Sequence, residues 1–288
     1  MNETIKKYRG HFSILILFLT ACIVWYLVFY YEARAGKMIV HIFDVGQGDG
    51  IFIEAPDGNI ILIDGGPDKT ILSKIGQTLL PWNRTIDLAI LTHPHADHLD
   101  GLFEVLKRYD ITMVLEAGVP YSTPEYREWN DLLETRHIPV VIARSGQKII
   151  IGDSEYDVFA PLEDFQLTSP KNIHDSMVTG KLSFASSSVL FMGDAEKKLE
   201  YRLIANGFDL QSDILKVGHH GSKTSTSPDF VARVSPFYAV ISLGRKNKYG
   251  HPHQTTLDTL KNAGVSILRT DEDGDITLVS DGQKFEKQ

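Results

Sequence analysis

The chain of 288 residues contains a single cysteine, Cys22. No intrachain disulfide can form, and everything beyond that position lacks a thiolate for catalysis or for metal. Any metal site must then be built from histidine and carboxylate. A basic excess is missing too: 37 acidic against 29 basic side chains leave a formal charge of −8, which argues against binding polyanions through broad surface charge. There is no low-complexity tract and no tandem repeat, so collagen and short-repeat solenoids are excluded. With 43% hydrophobic and 23% charged residues the chain is apolar enough to fold around a core. No linker divides residues 37–288, and that stretch reads as one domain of about 250 residues.

Charge of either sign is absent from residues 10–31. The apolar run 12–31, FSILILFLTACIVWYLVFYY, is long enough for roughly 30 Å of helix, the thickness of a bilayer's hydrocarbon core. Lys6, Lys7 and Arg9 precede it and Glu32 follows, a bias that favours a cytoplasmic N-terminus and a body on the other side. Three readings compete for this leader. It is an uncleaved membrane anchor with interfacial Trp25, Tyr26, Tyr30 and Tyr31; or a signal peptide cut after Ala35, since Ala33-Arg34-Ala35 is an A-x-A site; or a lipoprotein leader, with Leu19-Thr20-Ala21-Cys22 as its lipobox. All three export the body, and a membrane-anchored chain with an extracytoplasmic catalytic domain is the expectation. Lys6, Lys7, Arg9 and Arg34 against Glu3 and Glu32 give residues 1–36 a charge of +2, which leaves −10 for residues 37–288.

After Gly36 short β-branched runs alternate with turns. MIVHIFDV (38–45), GIFIEA (50–55), NIILIDGG (59–66) and DLAILTH (87–93) read as strands. LDGLFEVLKRYD (99–110) has helical spacing, TMVLEAG (112–118) is a strand, and STPEYREWNDLLETRH (122–137) is a helix with Pro124 at its first position. PVVIAR, KIIIGDSEYDVFAP, SMVTGKLSFASSSVLFMGD, DILKVGHH and FYAVISL follow as strand candidates, with 195–207 and 253–264 as helices ending in glycine. The Gly46-Gln47-Gly48-Asp49-Gly50 run has no helix after it, so it reads as a tight turn instead of a phosphate loop. Ser186-Ser187-Ser188 reads as a hairpin turn.

Seven of the eleven histidines fall into three groups: His93, His95 and His98; His219 and His220; His251 and His253. The first group stands between a strand and a helix in His93-Pro94-His95-Ala96-Asp97-His98. There His93 and His95 can point one way while Asp97 and His98 turn toward a neighbouring position, so four ligands reach two adjacent ions. Imidazole nitrogens and carboxylate oxygens suit zinc or manganese.

HxHxDH after a strand resembles the metallo-β-lactamase superfamily, which implies an α/β fold: a four-layer αββα sandwich, here preceded by one apolar helix, with metals at one sheet edge. A narrower resemblance rests on DVGQGDG (44–50), ILIDGG (61–66), HPHADHLDGL (93–102), LFMGDAE (190–196), LKVGHHGSKTS (215–225), YGHPH (249–253) and LRTDEDGDITL (268–278). These motifs, across about residues 38–280, are similar to the extracellular hydrolase domain of ComEC-type competence proteins and their stand-alone relatives. The many-helix channel of a DNA-uptake protein is missing, so transport by this chain alone is not expected, and a separate channel protein is a candidate partner.

The resemblance implies two divalent ions. The first would take His93, His95 and Asp194; the second Asp97, His98, Asp194 and one of the paired histidines. His220 is favoured as that ligand, leaving His219 to face the substrate and protonate a leaving group, with the reverse assignment open. A hydroxide bridging the ions would be the nucleophile. Asp64 is implied to orient a ligand histidine. His174 or Asp175 is a candidate to complete the first ion, which otherwise lacks a third histidine, and His137 reads as a solvated helix end. His251 is a candidate for facing substrate. The expected activity is phosphodiester hydrolysis with DNA as substrate, helped by a basic strip of Lys216, Lys223, Arg245, Lys246 and Lys248. Ser222, Lys223, Thr224 and Ser225 form a polar loop able to hold a phosphate. The alternatives are a small-ester hydrolase of the phosphocholine esterase or lactonase type, and an inactive metal-binding surface module.

Overall fold

The computed structural model describes residues 3–288. Residues 1–36 and 37–288 form two separate compact units. The first is a single helix, α1 (Glu3–Arg34), whose segment Gly10–Arg34 has a mean hydropathy of 2.6 and is long and apolar enough to cross a membrane. The side chains of Lys6, Lys7 and Arg9, on which the expected orientation rests, lie outside the described residues.

The second unit opens with an antiparallel meander of β1 (Met38–Ile42), β2 (Ile51–Glu54) and β3 (Ile60–Ile63). After α2 (Thr70–Thr78) and the short β4 (Thr85–Ile86), β5 (Leu88–Leu91) lies parallel to β3. Then come α3 (Ala96–Leu106), β6 (Asp110–Ile111), β7 (Val114–Glu116), α4 (Pro124–Thr135) and β8 (Val140–Ile142). The second half runs β9 (Lys148–Ile151), β10 (Ser154–Ala160), β11 (Thr179–Phe184), β12 (Ser187–Phe191), α5 (Lys197–Ala205), β13 (Ile214–Lys216), α6 (Pro228–Val234), β14 (Tyr238–Ile241), α7 (Gln254–Asn262) and β15 (Ser266–Arg269). A short α8 (Thr270–Asp273) leads to β16 (Ile276–Ser280) and β17 (Phe285–Lys287). β16 returns to the first sheet and pairs with β1, giving orders β17-β16-β1-β2-β3-β5-β7-β8 and β15-β14-β13-β12-β11-β10-β9.

The alternation of side chains along each strand explains the layers. Ile61, Ile63, Leu88 and Ile90 of the first sheet meet Val158, Leu182, Val189 and Phe191 of the second in one core between the sheets. Their neighbours Leu62, Ala89 and Leu91 point outward and are covered by Ile71, Ile75, Leu102 and Trp129 of α2, α3 and α4. Leu190, Leu215 and Ala239 are covered in the same way by Leu199, Phe230 and Leu260 of α5, α6 and α7. Helices on both outer faces leave the central strands buried on both sides, which is why they read as unbroken apolar runs. The fold is the expected αββα sandwich.

Some local expectations need correction. The helix expected over 99–110 begins at Ala96, because His95 in extended conformation (φ −75°, ψ 149°) serves as its N-cap, and this puts Asp97 and His98 in the first helical turn. The turn expected at Ser186-Ser187-Ser188 is centred on Ala185, which takes the left-handed φ of 49°, and Ser187 and Ser188 belong to β12. α3 lies directly on the loop after β3: a Cβ at Gly101 would come within 1.8 Å of the Gly65 carbonyl oxygen. Glycine at both positions lets the helix that carries Asp97 and His98 sit against the strand end that carries Asp64.

Candidate metal centre

The chemistry-bearing residues gather at the ends of parallel strands. Asp64 follows β3, His93 follows β5, Asp194 follows β12, and His219 and His220 follow β13. Asp64, with φ 57° and no exposed surface, accepts hydrogen bonds from Thr92 N at 2.9 Å, Thr92 Oγ1 at 2.7 Å and His98 Nδ1 at 2.7 Å. With Nδ1–H committed to Asp64, His98 presents the lone pair of Nε2. His220 is held likewise: Nδ1–H donates to the Ser242 carbonyl at 2.9 Å, which frees Nε2.

These two Nε2 atoms converge with two carboxylates. His98 Nε2 lies 3.5 Å from Asp194 Oδ1 and 4.0 Å from Asp97 Oδ2, and His220 Nε2 lies 3.4 Å and 3.6 Å from the same two oxygens. His98 Nε2, His220 Nε2 and Asp194 Oδ1 are buried without any hydrogen-bond partner. Buried polar atoms left unpaired are costly, and four converging donors of nitrogen and oxygen fit one divalent cation of the zinc or manganese kind. A second group, His93, His174 and Asp194, also lies within mutual ligand reach. Asp194 is common to both groups. Its Oδ2 is 3.9 Å from His93 Nε2, while His95 Nδ1 lies 2.8 Å from that same nitrogen.

Burial alone would raise the Asp194 carboxyl, but the His220 and His98 imidazoles hold it well below the ordinary carboxylate range. Burial alone would lower His98, yet Asp194 and Asp64 drive it well above the usual imidazole value. His93 moves the other way, pushed well down by burial and by the neighbouring His98. Asp194 therefore stays ionised, and a cation entering the site would displace the proton that the raised pKa places on His98, since imidazole ligates in its neutral form.

The remaining expected residues separate. His174, in the 3-10 turn Ile173–Ser176, has its ring 4.6 Å from that of His219 at a 30° tilt and 5.8 Å from that of His93, within ligand reach of His93 and Asp194 and also of Glu196 and His219. Asp175 does not join the cluster: its Oδ2 pairs with Lys198 Nζ at 2.6 Å, because the turn aims it outward. His219, 24% exposed, has Nε2 3.9 Å from Asp194 Oδ2 and Nδ1 3.6 Å from Glu196 Oε1, and burial holds its pKa low. His251, 5.8 Å from the His219 ring, is lowered to about 4 by burial and by His220 and His219. His253 accepts from Thr255 N and caps α7. His219 and His220 both take left-handed backbone, φ 49° and 52°, a strained geometry that turns two adjacent rings toward one centre.

Two expectations about the surroundings are overturned. Lys216 is no part of an exposed basic strip. It is 1% exposed and its Nζ donates to Asp49 Oδ2 at 2.7 Å, because β13 is covered on both faces. In the polar loop, Ser222 and Ser225 are buried, and Ser225 Oγ is spent on the Gly218 carbonyl, so only Lys223 and Thr224 face solvent. The turn at 46–50 has more to do than reverse the chain. Asp49 N–H donates to the Asp97 carbonyl at 3.3 Å, and Asp49 Oδ1 sits 3.5 Å from His220 Nδ1. Asp49, Lys216 as its partner, and Glu196 are site neighbours that sequence reasoning missed. Only the pairing of charges distant in sequence would have revealed them.

Residues 43–245 match the family profile described as the metallo-beta-lactamase superfamily. The chain is 28% identical over 272 residues to ComE operon protein 3 of Bacillus subtilis (strain 168), covering 88% of this chain and 34% of that protein. It is also 28% identical over 281 residues to Recombination protein 2 of Haemophilus influenzae, covering 96% of this chain and 32% of that protein. It thus spans about a third of the length of these relatives. Among solved structures, the metallo-beta-lactamase fold protein YhfI of Bacillus subtilis superposes with a TM-score of 0.58 at 13% identity, over 85% of this chain and 99% of that one, a likeness of fold. The profile match takes in most of the sandwich and the whole run from Asp64 to His220, and on that ground the chain belongs to the metallo-β-lactamase superfamily of metal-dependent hydrolases.

Proposed function

We propose that this chain is a binuclear metal-dependent phosphodiesterase acting on DNA outside the cytoplasm, held at the membrane by α1. The observation that carries the reading is Asp194: one buried carboxylate faces two separate groups of ligand atoms, Asp97, His98 and His220 on Oδ1 and His93 with His174 on the other side. Two divalent ions there would activate water at neutral pH and offset negative charge gathering on a phosphoryl group. The chain's own residues supply orientation and protons. Asp64 fixes the ring of His98 and the Ser242 carbonyl fixes that of His220, so both Nε2 atoms are aimed before substrate arrives. His219 lies on the open side with Nε2 toward the cluster. From that position Nε2 would deliver a proton to a departing alkoxide. His251 stands beside it as a second imidazole for the substrate's oxygens.

His174, within ligand reach of His93 and Asp194, would offer the first ion a further imidazole, and this favours a working enzyme over an inactive metal-binding module. Similarity to the protein named Competence protein ComA of Neisseria gonorrhoeae, 28% identical over 82% of this chain, favours a phosphodiester over a small ester, and a separate channel protein as partner. Full-length protein incubated with single-stranded DNA, duplex DNA, bis-p-nitrophenyl phosphate, a phosphocholine ester and a lactone tests this. DNA and the chromogenic diester should be cleaved, and the phosphocholine ester and the lactone left intact. DNA that survives while a small ester is consumed would overturn the proposal.

A further inference from the structure

Beyond the cluster, the rings at its mouth form one unbroken row. Tyr121 lies 6.1 Å from His95, His95 5.6 Å from His174, His174 4.6 Å from His219, His219 5.8 Å from His251, and His251 5.7 Å from Tyr249, all measured between ring centroids. Each step lies within the range over which planar rings interact. The middle of the row is imidazole and includes His95 and His174 of the candidate ligand set; the two ends are tyrosines. Five of the six are partly buried, Tyr121 with one side against the core beneath α3 and α4, and Tyr249 is 57% exposed. An exposed aromatic ring gains little from its own fold in that position, and the loop that carries it is held in shape by a side chain. Asn247 Nδ2 donates to the carbonyls of Gly244 and His251, while its Oδ1 accepts from the backbone N–H of Tyr249 and His251. Tyr249 is therefore presented, stacked at 25° on His251 with Lys248 Nζ 5.4 Å above its ring. Arg245, Lys246 and Lys248 are exposed on this same short loop, in a unit whose overall charge is negative.

We infer that this row is the track for an unpaired nucleic-acid strand, its phosphates over the histidines and its bases stacked on Tyr249 at one end and Tyr121 at the other. The inference rests on the phosphodiesterase reading and adds to it the form of the substrate. A duplex keeps its base faces covered, so it cannot use the tyrosines. It would also need a broad basic surface, and a charge of −10 over residues 37–288 opposes one. A single strand needs only a local set of cations and ring faces for its bases, each stacked base being worth about five- to a hundredfold in affinity. Tyr249 and Tyr121 thereby become specificity-determining residues that stand outside the ligand set.

Fluorescence anisotropy on the full chain, carrying the metal it purifies with, tests the inference. The probe is a labelled thymidine oligonucleotide with phosphorothioate linkages, which resist hydrolysis. Wild-type protein should bind it at least about tenfold more tightly than a duplex of equal length, and more tightly than an abasic strand carrying the same phosphates. Tyr249→Ala and Tyr121→Ala should each weaken binding about fivefold or more, Tyr249→Trp should retain it, and Phe237→Ala, which removes another exposed ring outside the row, should leave it unchanged. Equal affinity for the abasic strand, or wild-type affinity in Tyr249→Ala, would overturn the track. Protein that prefers the single strand through Tyr249 yet leaves bis-p-nitrophenyl phosphate intact would uphold the track and overturn hydrolysis alone.

Discussion

Asp194→Asn is expected to lower phosphodiester turnover by at least about a thousandfold, beyond the 10–100-fold that follows loss of a residue one step removed from a metal. The reason is geometric. Asp194 Oδ1 stands 3.5 Å and 3.4 Å from the free Nε2 atoms of His98 and His220, and Oδ2 stands 3.9 Å from His93 Nε2. Asparagine keeps the shape but replaces one anionic oxygen with an N–H donor, so one ligand group loses its acceptor and both lose their shared charge. Asp64→Asn is the informative contrast. Asp64 spends its oxygens on Thr92 and His98, so its loss should disturb the tautomer and aim of His98 and stay within that 10–100-fold range. Steady-state kinetics on bis-p-nitrophenyl phosphate with both variants checks the ordering. Equal losses would show that Asp194 is not shared between two ions.

Lys216→Met is expected to destabilise the fold by about 3–5 kcal/mol, the usual cost of removing one partner from a buried ion pair. In a domain of this size that lowers the melting temperature by roughly 10 °C. Lys216 and Asp49 are each 1% exposed, and methionine leaves the Asp49 carboxylate buried without its counter-charge. The unpaired carboxylate then competes with the Ser242 carbonyl for His220 Nδ1–H, 3.5 Å away, so metal retention should fall along with stability. Removing both charges, with Asp49→Asn added to Lys216→Met, should recover most of the loss, because two uncharged side chains carry no desolvation penalty of that size. Thermal melts of the two variants beside wild type decide it. A single variant that melts at the wild-type temperature would contradict the buried pair.

The contrast between these two predictions shows what the sequence could reveal. His93, His95, Asp97 and His98 lie within six consecutive positions, so their chemistry is legible from spacing alone. Asp64, Asp194 and the His219-His220 pair each end an apolar run that reads as a strand, and their roles are legible through the resemblance to the metallo-β-lactamase superfamily. Asp49 and Lys216 are 167 positions apart and meet only because β13 and the turn after β1 face each other across the site. Nothing local marks either residue. Lys216 even misleads, since a lysine amid motif residues reads as a surface cation until burial is known. His174 and Asp175 are adjacent, and a one-residue difference in a 3-10 turn sends one toward His93 and the other toward Lys198. The short helices α2 and α6 are weakly marked, α6 only by Pro228 at its start. α2 has no side-chain cap, and α6 is only seven residues long, so tertiary packing instead of local propensity holds them.

The central claim is that residues from the ends of several strands hold two divalent ions around Asp194. Elemental analysis of the purified full-length chain, with protein concentration determined independently, addresses it most directly. The account predicts close to two equivalents of zinc or manganese in wild type and a marked loss in Asp194→Asn, with turnover falling in step. Wild-type protein that hydrolyses a phosphodiester with no bound divalent ion, or an Asp194→Asn chain that keeps both ions, would contradict it.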